Sequence, residues 1–69
     1  MNATARGLGG RVRALRRQRG WTQHQLAEAP GVSRATIARI EAGDSNPDLD
    51  TLGMIARALG VRTYALLYE

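Results

Sequence analysis

Residues 22–43 read Thr22-Gln23-His24-Gln25-Leu26-Ala27-Glu28-Ala29-Pro30-Gly31-Val32-Ser33-Arg34-Ala35-Thr36-Ile37-Ala38-Arg39-Ile40-Glu41-Ala42-Gly43, and this stretch decides the fold. Two short helical segments meet at Pro30-Gly31-Val32. The first opens on a capping box: Thr22 stands as the N-cap, and Gln25 reaches back to the Thr22 backbone. Trp21 and Leu26 occupy the two positions of a hydrophobic staple around that start. The second opens on Ser33, another favourable N-cap, with Val32 and Ile37 as its staple. Pro30 disfavours helical backbone at Ala29 and so shortens the first segment. A three-residue turn with a central glycine forces the two helices to cross steeply.

A wheel of Arg34 to Glu41 divides the second helix into two faces. Ile37 and Ile40 point toward a core. The opposite face centres on Ala35, flanked by Ala38 and Arg39, with Arg34 and Thr36 at its margins. Ala35 and Ala38 keep that face slim enough for close approach to a surface such as a DNA major groove, which admits a helix. Arg34 and Arg39 have the reach and geometry to bind guanine O6 and N7, and Ala35 can touch a thymine methyl. Ser33 and Thr36 offer hydroxyls to phosphate or base. Gln23, at the start of the preceding helix, offers its amide beside a positive helix end, which favours a phosphate.

Working outward, Leu8, Val12 and Leu15 form a narrow apolar stripe on a helix expected over about Gly10 to Arg19. Downstream, Asp48 caps a fourth helix that carries Leu49, Leu52, Ile55, Ala56 and Leu59 on one face. A fifth, short helix is expected over Tyr64–Tyr68 with a poor cap. Gly20, Gly43 and Gly60 each follow a helical segment, where a left-handed residue is wanted. Gly53 inside the fourth helix costs about 1 kcal/mol relative to Ala, and a tight helix crossing is the reading that would explain it. No segment alternates as a strand does. The expectation is an all-α, compact bundle of five short helices over residues 8–69, behind a flexible arm at residues 1–7 with Arg6 in it.

The charge is lopsided. Ten arginines, no lysine and six acids give +4 over 69 residues. Residues 1–39 hold eight arginines against one acid, +7, whereas residues 40–69 hold two arginines against five acids, −3. A basic half points to a polyanion, of which nucleic acid is the commonest. Arg11, Arg13 and Arg17 are read as a solvated face. With no cysteine, disulfides, thiol chemistry and cysteine-ligated zinc are excluded. No apolar run approaches the ~20 residues that span a bilayer, and Met1 to Arg19 lacks the apolar core of a signal peptide, so a cytoplasmic location without membrane contact is expected.

Catalysis finds no support in the residues. Thr22, Ser33 and Thr36 lack a histidine and acid arranged as a triad. His24 and Glu28, four apart, would supply only two metal ligands. Asp44-Ser45-Asn46-Pro47-Asp48 resembles the opening of a calcium loop, but Leu49 and Ile55 stand where Gly and Glu are required. Neither an enzymatic activity nor a cofactor is expected.

The chain resembles the helix-turn-helix domain of Cro and lambda-type repressors, also called the xenobiotic-response-element family. The resemblance covers residues 8–67. It is carried by Leu15-Arg16, Gly20, Thr22-Gln23, Leu26-Ala27-Glu28, Gly31-Val32-Ser33, Ile37, Ile40-Glu41-Ala42-Gly43, Asn46-Pro47, Leu52, Ile55-Ala56 and Ala58-Leu59-Gly60-Val61. Pro30 and Gly53 depart from the pattern. The resemblance implies a homodimer on a two-fold double-stranded DNA site, with the recognition helix at Ser33–Ala42. It places Thr22, Gln23, Ser33, Arg34, Ala35, Thr36 and Arg39 at DNA-contacting positions and pairs Arg16 with Glu41. The implied function is regulation of transcription, as a repressor on a palindromic operator. The alternative is an interaction module or antitoxin that offers the same face to a protein partner such as a toxin. The region around Tyr64–Tyr68 is the candidate dimer surface.

Overall fold

The capping residues read from the sequence set three of the helix starts. The computed structural model describes residues 5–67, and the helices found there are α1 (Ala5–Gln18), α2 (Gln23–Glu28), α3 (Arg34–Glu41), α4 (Leu49–Ala58) and α5 (Thr63–Leu67). Thr22 Oγ1 accepts from the Gln25 amide at 3.1 Å while the Thr22 amide donates to Gln25 Oε1 at 2.8 Å, which completes the capping box. Ser33 Oγ accepts from the Thr36 amide at 3.0 Å, and Asp48 Oδ1 accepts from the Thr51 amide at 2.8 Å. Each bond satisfies a backbone donor that the first helical turn leaves without a partner.

The turn between α2 and α3 is equally local in origin. Gly31 adopts φ 78°, a left-handed value that a side chain disfavours. Its amide and that of Val32 both donate to the Ala27 carbonyl, at 3.0 and 3.1 Å. Ala29 keeps right-handed helical angles although Pro30 follows it, and α2 nonetheless stops at Glu28 after six residues.

The core gathers Leu8, Val12, Leu26, Ala27, Ile37, Ile40, Leu52, Ile55, Ala56, Leu59 and Leu66, with Leu15, Trp21 and Val32 packed at its edge. Helix α3 lies between α1 and α2, while α5 is held by α1 and α4. Burying each large side chain is worth about 1.5–3 kcal/mol, so Ile37 and Ile40 alone anchor the inner face of α3 firmly. The outer face is thereby presented to solvent.

The structure departs from the expected elements at three places. Helix α1 begins at Ala5, five residues before the expected Gly10, and runs through Gly9 and Gly10. Burial of Leu8 in the core outweighs the low helix propensity of the two glycines. Of the expected arm, residues 5–7 belong to α1 and residues 1–4 lie outside the described residues; Tyr68, assigned to the fifth helix, lies outside them too.

Leu49, expected on the inner face of α4, is 73% exposed. On a wheel of about 100° per residue it lies about 70° from the mean direction of Leu52, Ile55, Ala56 and Leu59, so it faces the groove between α4 and α5.

Gly53 does not mark a close crossing. A Cβ placed there would meet only Thr63 Oγ1, at an ordinary 3.9 Å. The close crossing is at Gly9 instead, where a Cβ would sit 2.6 Å from the Glu41 carbonyl oxygen and overlap the Ile40 carbonyl as well. Backbone of α1 and the end of α3 thus touch directly.

Candidate nucleic-acid interface

Helix α3 is short and polar on one side, and the core holds it by the other. Arg34, Ala35 and Arg39 are exposed, Thr36 and Ala38 are half-buried, and Ile37 and Ile40 are fully buried. Ser33, also exposed, lies 2.8 Å from Thr36 through their hydroxyls. The N-termini of α2 and α3 are adjacent enough for side chains to bond across them: Arg34 Nη1 donates to Gln23 Oε1 at 3.5 Å. Gln23, Ser33, Arg34, Ala35, Thr36 and Arg39 therefore all belong to the α2–α3 unit, with Thr22 as the exposed cap at its edge. The body measures 29 × 22 × 21 Å, against a major groove about 12 Å wide, so the exposed face of a single helix, and not the whole body, is what such a groove admits.

Behind that face sits a buried ion pair. Arg16 Nε donates to Glu41 Oε2 at 2.6 Å and Arg16 Nη2 to Glu41 Oε1 at 2.9 Å, a two-pronged arrangement. Arg16 Nη1 donates to the Trp21 carbonyl at 2.7 Å, tying the end of α1 to the start of α2. Gln23 Nε2 and Arg13 Nε add further donors to Glu41 Oε1, at 3.2 and 3.4 Å. Glu41 closes α3 at its C-terminal end, where the helix dipole disfavours a carboxylate, and the converging donors offset that cost.

Burial pushes the Glu41 carboxyl up, but hydrogen bonds from Arg16 and Gln23, the Arg16 charge and a hydrogen bond from Arg13 together hold it below the usual range. The hydrogen bond to Glu41 holds the Arg16 guanidinium above its ordinary value, against the opposing effect of burial. Because folding lowers the Glu41 value, the unfolded chain binds more protons in acid. The stability this group supplies is complete above about pH 4.5 and is lost as pH falls through the lower folded value. Asp48 acts in the same direction, held low by the backbone and side-chain hydrogen bonds from Thr51. A melting-temperature series from about pH 5 to about pH 3 is expected to fall steeply for the wild type and less steeply for Glu41→Gln; parallel curves would remove Glu41 as the cause.

Three arginines hold the fold in ways that sequence reading did not assign. Arg13, read as solvated, reaches Glu41. Arg11 Nε donates to the Ala65 carbonyl at 3.1 Å and links α1 to α5. Arg19 lies 5.2 Å over the Trp21 ring and donates twice to the Leu59 carbonyl, at 3.2 and 2.9 Å. Leu59 caps α4, so Arg19 places a cation at the negative end of that helix. The bonds to Glu41, Ala65 and Leu59 join residues 28 to 54 positions apart, and no local pattern announces them.

His24 and Glu28 approach to 3.7 Å on the exposed face of α2. No group of three or more candidate metal ligands forms among the described residues, and no helix there is long and apolar enough to cross a membrane.

A capped helix, a glycine turn and a second helix anchored by Ile37 and Ile40 define a helix-turn-helix domain. The chain belongs to the family described as Helix-turn-helix (HTH_3), whose model matches residues 12–66. It is 44% identical over 62 residues to the immunity repressor protein of Bacillus phage phi105, covering 90% of this chain and 43% of that protein. It is 46% identical over 61 residues to the HTH-type transcriptional regulator SutR of Escherichia coli (strain K12), covering 88% of this chain and 34% of that protein. The chain thus spans less than half the length of these two relatives. Among solved structures, the restriction-modification controller protein C.AhdI from Aeromonas hydrophila superimposes with a TM-score of 0.87 at 31% identity, covering 90% of this chain and 94% of that one.

Proposed function

We propose that this chain is a sequence-specific DNA-binding domain that regulates transcription in the cytoplasm, as a homodimeric repressor on a palindromic operator, and that it binds rather than catalyses. The observation that carries the reading is the outer face of α3, where Arg34, Ala35 and Arg39 are exposed on a helix whose other side is fully buried. The repressor and regulator relatives and the +7 charge of residues 1–39 support it.

In this reading Ser33–Ala42 enters the major groove. Arg34 and Arg39 read guanine, Ala35 meets a thymine methyl, and Ser33 and Thr36 bond phosphate or base. Thr22 and Gln23 approach the backbone, which positions the domain without reading sequence. A second copy docks on the groove between α4 and α5. Leu49 and Tyr64 are exposed there, and Asp50 lines it together with Arg57 and Arg62. A two-fold contact offers each acid to a base of the other copy.

Selection from a random DNA pool tests the reading. The expected product is a two-fold symmetric site whose half-sites lie about 34 Å apart, one helical turn. Weak binding without enrichment would remove it. On the selected site, Arg34→Ala and Arg39→Ala are each expected to weaken binding by about five- to a hundredfold, and to weaken binding to random DNA much less. Equal losses on both DNAs would make the two residues phosphate contacts.

A further inference from the structure

The helices fall into two units. Helices α1, α2 and α3 pack on one another and carry the outer face of α3, while α4 packs on α5 and forms the groove beside Leu49 and Tyr64. The most extensive helix contact between the units is that of α1 on α5. Leu52, Ile55, Leu59 and Leu66 join the α4–α5 unit to the common core. Apolar packing of this kind settles the crossing of two helices only to within about 15–20°.

Directional bonds cross the same boundary at two places. Arg11 Nε donates to the Ala65 carbonyl at 3.1 Å, and Arg19 Nε and Nη2 both donate to the Leu59 carbonyl, at 3.2 and 2.9 Å. Leu59 caps α4 and Ala65 lies in the last turn of α5, where a helix leaves its own carbonyls open. The Arg19 tie is built on both sides. Its guanidinium lies 5.2 Å over the Trp21 ring, and the Trp21 carbonyl accepts from Arg16, whose other donors hold Glu41 at the end of α3. On the α4 side, a Cβ on Gly60 would come within 2.5 Å of Arg19 Nη2, so the glycine leaves the room that the guanidinium fills. A continuous path runs from the C-terminal end of α4 to the C-terminal end of α3.

We propose that Arg11 and Arg19 are positioning residues that set the angle between the α4–α5 groove and the outer face of α3, and through it the half-site spacing that a dimer accepts. This rests on the dimer and operator reading proposed above. One tie leaves rotation about itself; a second, eight residues or about two helical turns along the chain, removes it. One base pair inserted between the half-sites moves them about 3.4 Å apart and turns one against the other by about 34°. Shared between two protomers, that is about 17° each, within the about 15–20° that apolar packing alone leaves open. Units tied at two points do not yield by that much without breaking a charge-assisted bond.

The test measures the affinity of the full chain for three DNAs: the selected site, the same site with one base pair inserted between its half-sites, and a single half-site. The variants are Arg11→Met and Arg19→Met, alone and together, with Arg19→Lys as the conservative change that keeps a donor for the Leu59 carbonyl. The double variant is expected to bind the inserted site about five- to tenfold more tightly than the wild type does, the selected site about two- to threefold more weakly, and the single half-site within about twofold. Arg19→Lys is expected to stay nearer the wild type than Arg19→Met does. A gain on the inserted site is the informative result, because damage to the fold or loss of the dimer only weakens binding. A double variant that binds the inserted site no more tightly than the wild type overturns the proposal, whatever it loses on the selected site, as does a wild type that binds both spacings alike. If circular dichroism finds the double variant unfolded, the single variants decide by the same criterion, with a gain of about threefold expected for Arg19→Met. A wild type that selects no two-fold site overturns both this and the operator reading, whereas a selected two-fold site whose spacing preference survives in the variants overturns this one alone.

Discussion

Glu41→Ala is expected to lower the melting temperature by about 12–24 °C, the consequence of losing about 3 kcal/mol in a domain of this size. Most of this loss comes from what is left behind. Arg16 remains 9% exposed with two of its three bonds to side chain or backbone removed, and a buried guanidinium without a counter-charge is far costlier than the pair was beneficial. The Gln23 and Arg13 donors lose their acceptor as well.

A second variant separates the cost of the orphaned charge from any special value of the pair. Replacing both partners, Arg16→Met with Glu41→Leu, removes charge and counter-charge together and is expected to recover much of the loss. Thermal unfolding by circular dichroism measures both. A Glu41→Ala protein that melts with the wild type would show that solvent reaches Arg16 and takes over its bonds. Small chains have little stability in reserve, so the single variant is expected to be partly unfolded near 37 °C.

Two neighbouring glycines should respond in opposite directions to the same substitution. Gly9→Ala is expected to cost about 2–3 kcal/mol, because the new Cβ meets carbonyl oxygens of α3 that cannot turn aside as a side chain could. Gly10→Ala, where a Cβ meets nothing within 4 Å, is expected to stabilise by about 0.5–1 kcal/mol through the better helix propensity of alanine. Parallel melting curves decide it. Loss of similar size at both positions would point to a general intolerance of α1, whereas a stable Gly9→Ala would mean that α1 can slide away from α3.

Much of the fold follows from short-range rules that a single chain displays openly. Thr22 with Gln25, Ser33 and Asp48 each mark a helix start, because a capping side chain acts on amides two or three residues away. The turn at Gly31 is equally local. Ile37 and Ile40 were legible as core from their spacing, since a helix repeats its faces at a fixed period. The same spacing assigned Leu49 to the core, and failed because a residue at the margin of an apolar stripe is buried only if a neighbouring element covers it. The start of α1 was misjudged for a related reason: propensity at Gly9 and Gly10 argues against a helix that the burial of Leu8 then imposes.

The face of α3 was likewise visible in the sequence, as small residues flanked by arginines opposite Ile37 and Ile40. The contacts behind it were not. That Arg13 and Gln23 converge with Arg16 on Glu41, that Arg19 reaches across to Leu59, and that Gly9 lies against the end of α3 are all decided between residues at least 18 positions apart. The sequence by itself determined where the helices begin and turn and which face of α3 looks outward, because those depend on neighbours along the chain. Which arginines stay free for a partner, and which are spent holding the helices together, only the tertiary structure decided, because an ion pair depends on distance in space and a helical sequence carries no record of which helix will lie beside it.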